Sequence, residues 1–343
     1  MISRRTMIAS SAATVALAAT ARATPTAITI RKAPRLRAGD TVGLIAPAGF
    51  VADRFGVETL IKTVEAMGLV AKPAPRLTAR NGYLAGSDET RADDINAMFV
   101  DPEVRALFAV RGGWGSQRLL PYLDYDAISV NPKLVIGMSD ITALHMALAK
   151  HGAAPTIHGP NAAHSWNTQA WDSLRSLAFD GAAPTYSIPK SGADRLVQRR
   201  TIHTFRPGKA TGRLLGGNLS VLSALVGTPY LPDFAGAILF LEDINEAEYR
   251  IDRMLTQLAQ GGVLDRVAGV VFGQCTNCRN PGERFGNFTI YEVLDHHFRP
   301  LGVPAFQGAW IGHIASQISV PVGIPAEIDA EAGTIRMLEP VVT

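Results

Sequence analysis

A nucleophilic hydroxyl needs three supports: a base in hydrogen-bond reach, a group that orients that base, and donors for the charge that develops on the attacked oxygen. Ser139 is the residue best placed to be such a hydroxyl. It lies in Leu134-Val135-Ile136-Gly137-Met138-Ser139-Asp140-Ile141. The apolar run Leu134 to Ile136 predicts a short strand, and the three-to-four apolar spacing that continues to Lys150 predicts a helix. A serine at that junction stands at the carboxyl end of a strand and the amino end of a helix. The Asp140 amide then points the same way as the hydroxyl, and the helix's positive end favours an oxyanion. Serine also caps helices in this position. The strict G-x-S-x-G elbow is broken, because Ile141 stands where its second glycine would be. Local sequence leaves both readings open.

Eight histidines compete for the role of base. His145 is six residues into the helix, roughly 9 Å along its axis and on another face, so it reads as core. His151 ends that helix, where a cation complements the dipole. His296 and His297 fall in an amphipathic helix and read as surface or interface residues. His158, in Ile157-His158-Gly159-Pro160, ends a strand of the same predicted sheet. His313, in Trp310-Ile311-Gly312-His313, follows an apolar segment near the C-terminus. These last two are not separated by local sequence.

The carboxylates gather at Leu241-Glu242-Asp243-Ile244-Asn245-Glu246-Ala247-Glu248. Glu242 directly follows the apolar run Ala237 to Leu241, so its charge needs a partner. Asn245 and Glu248 have the spacing of a capping box for the next helix, which leaves Glu242 as the carboxylate without a structural task. For the oxyanion, Asp140 supplies one backbone amide. The turn Arg111-Gly112-Gly113-Trp114-Gly115 supplies another at Gly113, where the missing Cβ permits close approach. That turn matches neither G-x-G-x-x-G nor a lysine-bearing phosphate loop.

The elements needed to position these residues follow from periodicity. Strands are predicted at Val42 to Ala46, Ala106 to Val110, Leu134 to Ile136 and Thr156 to His158. They alternate with helices near Arg54 to Met67 and Glu89 to Phe99. That alternation predicts an α/β domain over residues 38–166, a parallel sheet with helices on both faces and ligands at the strands' carboxyl ends. Residues 167–210 read as a linker, with a basic solvated stretch at Arg195 to Arg200. A second domain over 211–343 carries a Leu214-to-Asn218 turn, a helix to Val226, strands at Ala237 to Leu241 and Val267 to Phe272, helices at Ala247 to Gln260 and Ile290 to Phe298, and short terminal strands.

Residues 1–23 read as a leader outside the fold, followed by an arm at 24–37. Ser3-Arg4-Arg5-Thr6 is a twin-arginine start, the run from Ile8 to Ala19 is modestly apolar, and Ala21-Arg22-Ala23 is an A-x-A cleavage site. The run is too short to span a bilayer, so an exported, periplasmic protein without stable membrane insertion is expected. The leader carries three arginines and no acid, so the formal charge of +3 falls to zero on its removal. Nothing then calls for nucleic acid. The two cysteines, Cys275 and Cys278, lack the second ligand pair of a structural zinc site. They read either as a disulfide in an oxidising compartment or as small buried residues.

Taken together, the motifs resemble the LD-carboxypeptidases, or muramoyltetrapeptide carboxypeptidases. The resemblance rests on Arg111 to Asp126, Asn131-Pro132-Lys133, Gly137 to Thr142, Gly216 to Ser220, Gly227-Thr228-Pro229, Leu241-Glu242-Asp243 with Tyr249 to Arg253, and Gly312-His313 with Val320 to Gly323, all in order. It covers essentially Ala38 to the C-terminus. It implies a Ser139-Glu242-His313 triad and an oxyanion hole at Gly113 and Asp140. It also implies a flavodoxin-like N-terminal domain, a smaller β-rich, barrel-like C-terminal domain, a site between them, and a homodimer. The implied substrate is a muropeptide or small peptide, with no metal or organic cofactor. Three departures from the family pattern stand out. Trp114 replaces a tyrosine, Met138 replaces an aromatic residue, and Ile314 and Gln317 replace a glycine and an asparagine after His313. Trp114 and Met138 are accordingly candidate substrate contacts, and Arg111 is a third by its nearness in sequence, with a structural ion pair as its alternative role. The related microcin-immunity type of serine amidase, and a non-catalytic periplasmic peptide binder, are the alternative functions.

Overall fold

Apolar runs at regular intervals build two sheets. The structure is a computed structural model that describes residues 31–187, 202–279 and 287–343. The leader and most of the basic stretch read from the sequence lie outside the described residues. The strands are β1 (Thr41–Ile45), β2 (Val70–Pro73), β3 (Val104–Ala109), β4 (Leu134–Gly137), β5 (Thr156–His158), β6 (Thr185–Tyr186), β7 (His203–Arg206) and β8 (Lys209–Asn218). They continue as β9 (Ile238–Ile244), β10 (Gly269–Thr276), β11 (Ala305–Gln307), β12 (Val320–Val322), β13 (Pro325–Asp329) and β14 (Thr334–Met337).

The first sheet runs β12-β5-β4-β3-β1-β2. Its five N-terminal strands are parallel, in a flavodoxin-like order, and β12 closes the edge antiparallel to β5. β1, β3, β4 and β5 are almost wholly buried, as expected of parallel strands covered on both faces. β2 escaped the sequence reading. It is a half-exposed edge strand with a proline and no apolar run.

The second sheet runs β6-β14-β13-β8-β9-β10-β11-β7, with a parallel centre of β8 to β11 and antiparallel flanks. The fold is therefore α/β throughout, a helix-flanked parallel sheet joined to a curled, β-rich one. Two expectations are corrected here. Leu214 to Asn218 is not a turn but the end of β8. Gly216 and Gly217 there take φ of 146° and 148°, and a Cβ on Gly216 would lie 1.8 Å from the Phe240 carbonyl oxygen. Their glycine content reflects close strand packing rather than reversal. The segment 167–210 is not a bare connector either: it holds the helix Thr168–Ala178, capped by Asn167, and contributes β6 and β7 to the second sheet.

Candidate active site

Ser139 opens the single turn of 3-10 helix Ser139–Ile141 between β4 and the helix Thr142–Lys150. Its φ is +64°, a left-handed conformation that costs an L-residue roughly 1–2 kcal/mol. A strained serine at the exit of a buried parallel strand is the geometry of a nucleophile elbow, and it arises here without the second glycine. Ser139 is therefore not the helix cap, and its hydroxyl is left for chemistry.

The surroundings hold this turn tightly. Gly112 backs onto the serine: a Cβ at 112 would lie 2.9 Å from Ser139 Cβ and 3.2 Å from its Oγ. Replacing Gly112 by Ala is expected to lower kcat/KM by about 100-fold, the scale of a 1 Å misplacement of a reacting group. The added methyl meets Ser139 Cβ, which moves only with its backbone, so the serine turn itself must shift and a modest loss of stability should accompany the loss of activity. Steady-state kinetics beside a thermal melt would check this.

The Asp140 carboxylate is buried and accepts from the Ser116 backbone N–H at 2.7 Å. Burial pushes its pKa up, against the lowering effect of the Ser116 bonds. It ties the Ser139 turn to the loop that carries Gly113, so the two candidate oxyanion donors are fixed relative to each other. Arg91 holds the same loop from beneath. Its guanidinium is buried, donates to the carbonyls of Gly115 (2.9 Å) and Pro47, and pairs with Asp88. No local pattern distinguishes Arg91 in the sequence.

Glu242 and His313 come together from the second sheet. Glu242 sits on β9 and is 0 % exposed. Its Oε2 lies 2.7 Å from His313 Nδ1. Gly312 takes φ 120°, and a Cβ there would fall 3.0 Å from Glu242 Oε2, so the chain can pass this close only as glycine. Ile314 N–H donates to the Gly312 carbonyl (2.8 Å), and Thr276 Oγ1 donates to the His313 carbonyl (2.9 Å), so His313 rides on a clamped turn. Burial pulls the His313 pKa down, but the Glu242 hydrogen bond and the charges of Glu242 and Asp243 prevail and raise it above 6.5.

The rival His158 is not the partner of a nucleophile. It is fully buried, and burial beside His145 and His313 drives its pKa far below 6.5. His145 is core, as its helical position predicts, with Nε2 2.9 Å from the Gly137 carbonyl. His297 is less exposed than expected: its Nε2 lies 2.7 Å from Asp252 Oδ1.

The capping-box reading of Asn245 and Glu248 does not hold. Ala247 is the N-cap of Glu248–Gln260 and offers no side-chain bond, and Asn245 takes φ 59°. Asp243 has its own task. It accepts from Asn218 Nδ2 (3.1 Å), Ser220 N (2.9 Å) and Ser220 Oγ (2.8 Å). Burial and the Glu242 charge push its pKa up to about 6, despite those bonds. Asn218 N in turn donates to Thr142 Oγ1 at 2.9 Å, which joins the end of β8 to the helix behind Ser139.

Ser139 and Asp140 face a cleft of about 510 Å³ that is also lined by Tyr83, Gly113, Trp114 and Arg118 from the first sheet's loops and by Asn218, Ser220, Asp243 and Glu246 from the second, while Glu242 and His313 lie outside this lining. Trp114 lines it and is 73 % exposed. Met138 does not line it. Its side chain is buried, and its backbone N–H donates to Asn161 Oδ1 at 3.1 Å. Arg111 also stays outside the lining, with its guanidinium against the Phe50 carbonyl (3.4 Å). The cation on the cleft wall is Arg118, paired with Asp88 at 3.0 Å. Cys275 and Cys278 form a disulfide at the end of β10, next to Thr276.

Comparison with known proteins places the chain in a family. Residues 42–159 match the LD-carboxypeptidase N-terminal domain, and residues 211–328 match the LD-carboxypeptidase C-terminal domain. A probable murein peptide carboxypeptidase of Bacillus subtilis is 37 % identical over 311 residues, covering 88 % of this chain and 93 % of that protein. The muramoyltetrapeptide carboxypeptidase structure from Oxalobacter formigenes superposes with a TM-score of 0.74. It is 29 % identical and covers 88 % of this chain and 99 % of that one. The microcin C7 self-immunity protein MccF in complex with aspartyl sulfamoyl adenosine gives a TM-score of 0.79 at 25 % identity, covering 91 % of this chain and 100 % of that one. The chain belongs to the LD-carboxypeptidase family of serine peptidases.

Proposed function

We propose that this protein hydrolyses the L,D bond to the terminal D-alanine of murein tetrapeptides through an acyl-enzyme on Ser139. The observation that carries the reading is the fully buried Glu242 carboxylate 2.7 Å from His313 Nδ1, in a chain whose Ser139 is held at positive φ on the wall of the cleft. His313, through the ring nitrogen that Glu242 does not hold, takes the Ser139 proton as Oγ bonds to the scissile carbonyl carbon. The amides of Gly113 and Asp140 receive the oxyanion. The tetrahedral intermediate collapses, the C–N bond breaks, and His313 returns the proton to the leaving amine of D-alanine. Water, deprotonated by the same imidazole, then cleaves the ester to give the tripeptide acid and restores the hydroxyl. Glu242 keeps the imidazole in the right tautomer and stabilises its cation throughout.

Purified mature protein incubated with murein tetrapeptide should release free D-alanine, detected by mass spectrometry. Tetrapeptide left intact over many enzyme equivalents would overturn the reading. A second reading, cleavage of peptide–nucleotide conjugates, draws on the likeness to MccF and on the exposed rings of Trp114 and Tyr83, which offer stacking faces at the cleft. Hydrolysis of an aminoacyl sulfamoyl nucleotide without any D-alanine release would favour it, and binding of either compound without turnover would point to a peptide binder.

The base must be neutral to work, so the raised pKa of His313 sets the acid limb of kcat/KM. Activity should fall as pH drops through a midpoint above 6.5 and not through one below it. A pH–rate profile with tetrapeptide checks this. We also propose that the chain is exported: the twin-arginine leader and the Cys275–Cys278 disulfide both suit an oxidising periplasm. N-terminal sequencing of the exported form should begin at Thr24.

A further inference from the structure

His158 presents an unusual pair of vacancies. It closes β5, opposite Gly137 of β4 on one side and Val320 of β12 on the other, and is 0 % exposed. Among the described residues neither of its ring nitrogens has a hydrogen-bond partner, and Glu242 Oε1 has none either. The two vacancies face each other, with Nε2 3.9 Å from Oε1. Buried polar groups are nearly always satisfied, and unsatisfied ones in a native core call for an explanation.

We propose, on the basis of the hydrolytic function set out above, that His158 is a positioning residue whose neutral Nε2–H donates to Glu242 Oε1, so that the carboxylate bridges two imidazoles. The remaining gap of about 1 Å to hydrogen-bond range is of the kind that tightens when substrate binds. A neutral imidazole carries one N–H, and burial together with the neighbouring rings of His145 and His313 favours the neutral form here. Its ring also packs against Phe240, with centroids 5.3 Å apart, and His145, with centroids 6.2 Å apart. The titratable groups facing His158 are therefore Glu242 of β9, His145 of the helix Thr142–Lys150 and His313 of the turn after β11. Of these, the acceptor left open is Glu242 Oε1.

The bridge has two consequences for the reaction. It stops the carboxylate from rotating away from His313, in a site where no solvent reaches Glu242. It also spreads the carboxylate's charge over a second donor and lowers its basicity, so the proton taken from Ser139 stays on His313 until the leaving amine needs it. The role explains why a strand buried between apolar neighbours ends in an imidazole.

The test compares His158→Leu, which removes the donor, with His158→Gln, whose side-chain amide reaches close to the position of Nε2. With tetrapeptide, His158→Leu should lower kcat by about 10- to 100-fold, the size usual for outer orienting groups, and leave KM nearly unchanged. Its acid limb should move to higher pH, because a more basic carboxylate holds the His313 proton more tightly. His158→Gln should recover most of kcat and return the limb to the wild-type position. Folded His158→Leu with wild-type kcat and limb would overturn the proposal. Equal losses in both variants with an unmoved limb would do the same, since that pattern reports packing alone. Long-range proton–nitrogen spectra of the wild-type protein provide a reading independent of substrate and of variant folding. They should show His158 neutral and Nε2-protonated across about pH 5 to 8. An Nδ1-protonated ring would refute the bridge even if tetrapeptide is cleaved, whereas an Nε2-protonated ring in a protein that cleaves no tetrapeptide would refute only the assigned function.

Discussion

Ser139→Ala is expected to reduce tetrapeptide hydrolysis by about 10⁶-fold in kcat, as loss of a triad serine does elsewhere. The residual rate would come from the oxyanion donors and substrate binding, which the substitution leaves in place. The fold should be indifferent to it. Alanine keeps the φ of +64° and its cost, so the melting temperature should stay within a few degrees of wild type. Ser139→Gly makes the complementary statement. Glycine adopts that φ freely, so the variant should be equally inactive but more stable by about 1 kcal/mol. Denaturant melts and single-turnover assays on the pair distinguish a reacting hydroxyl from a structural one. A serine that merely capped the helix would give the opposite pattern, a destabilised Ala variant that still turns over substrate.

Glu242→Gln should cost about 10⁴-fold in kcat/KM. The amide is close to isosteric, so the strand is not disturbed, but it carries no charge to balance the imidazolium. The glutamine can also present its NH₂ to Nδ1, which would force the wrong tautomer on His313. The sign of the accompanying pH change is fixed by the causes of the His313 shift. Glu242 raises that pKa against a burial effect that lowers it. With Glu242 neutral, burial prevails, and the acid limb of the residual activity should move to lower pH. Kinetics of the variant from mildly acidic to neutral pH would show whether the limb moves down, as expected, or stays in place.

Local sequence marks Ser139 and Glu242 as candidates because each breaks a local rule, though it leaves Ser139 open between a nucleophile and a helix cap. Ser139 interrupts a strand-to-helix junction, and Glu242 places a charge directly after five apolar residues of a central strand. Ionisable groups in such places need a reason. His313 had no such mark. His158 sits in a more regular element and is an equal rival by local pattern, so the family resemblance alone points to His313 from sequence, and the approach of β9 to the turn at Gly312 supplies the physical reason. That approach depends on pairing between strands far apart in the chain, which local periodicity does not encode. The same limit applies to Gly216 and Gly217. Paired glycines look like a turn until the neighbouring strand is known to pass within contact of them. Arg91 and Asp140, which lock the Gly113 loop to the Ser139 turn, lie inside or beside helices, where charged residues are ordinary. Their burial is visible only in three dimensions. Met138, expected in the pocket, lies in the core for a related reason: its burial follows from the left-handed turn at Ser139, which no local pattern announces.

The central claim is that a Ser139 ester lies on the path from tetrapeptide to tripeptide. Partitioning of that ester tests it most directly. Tetrapeptides that differ only in their terminal D-residue would be hydrolysed in the presence of hydroxylamine, and the ratio of hydroxamate to free tripeptide acid measured for each. A common acyl-enzyme has already lost the terminal residue when water and hydroxylamine compete for it, so the ratio should be the same for every substrate. A ratio that follows the leaving residue would mean that both nucleophiles attack the peptide bond directly, and would contradict the mechanism.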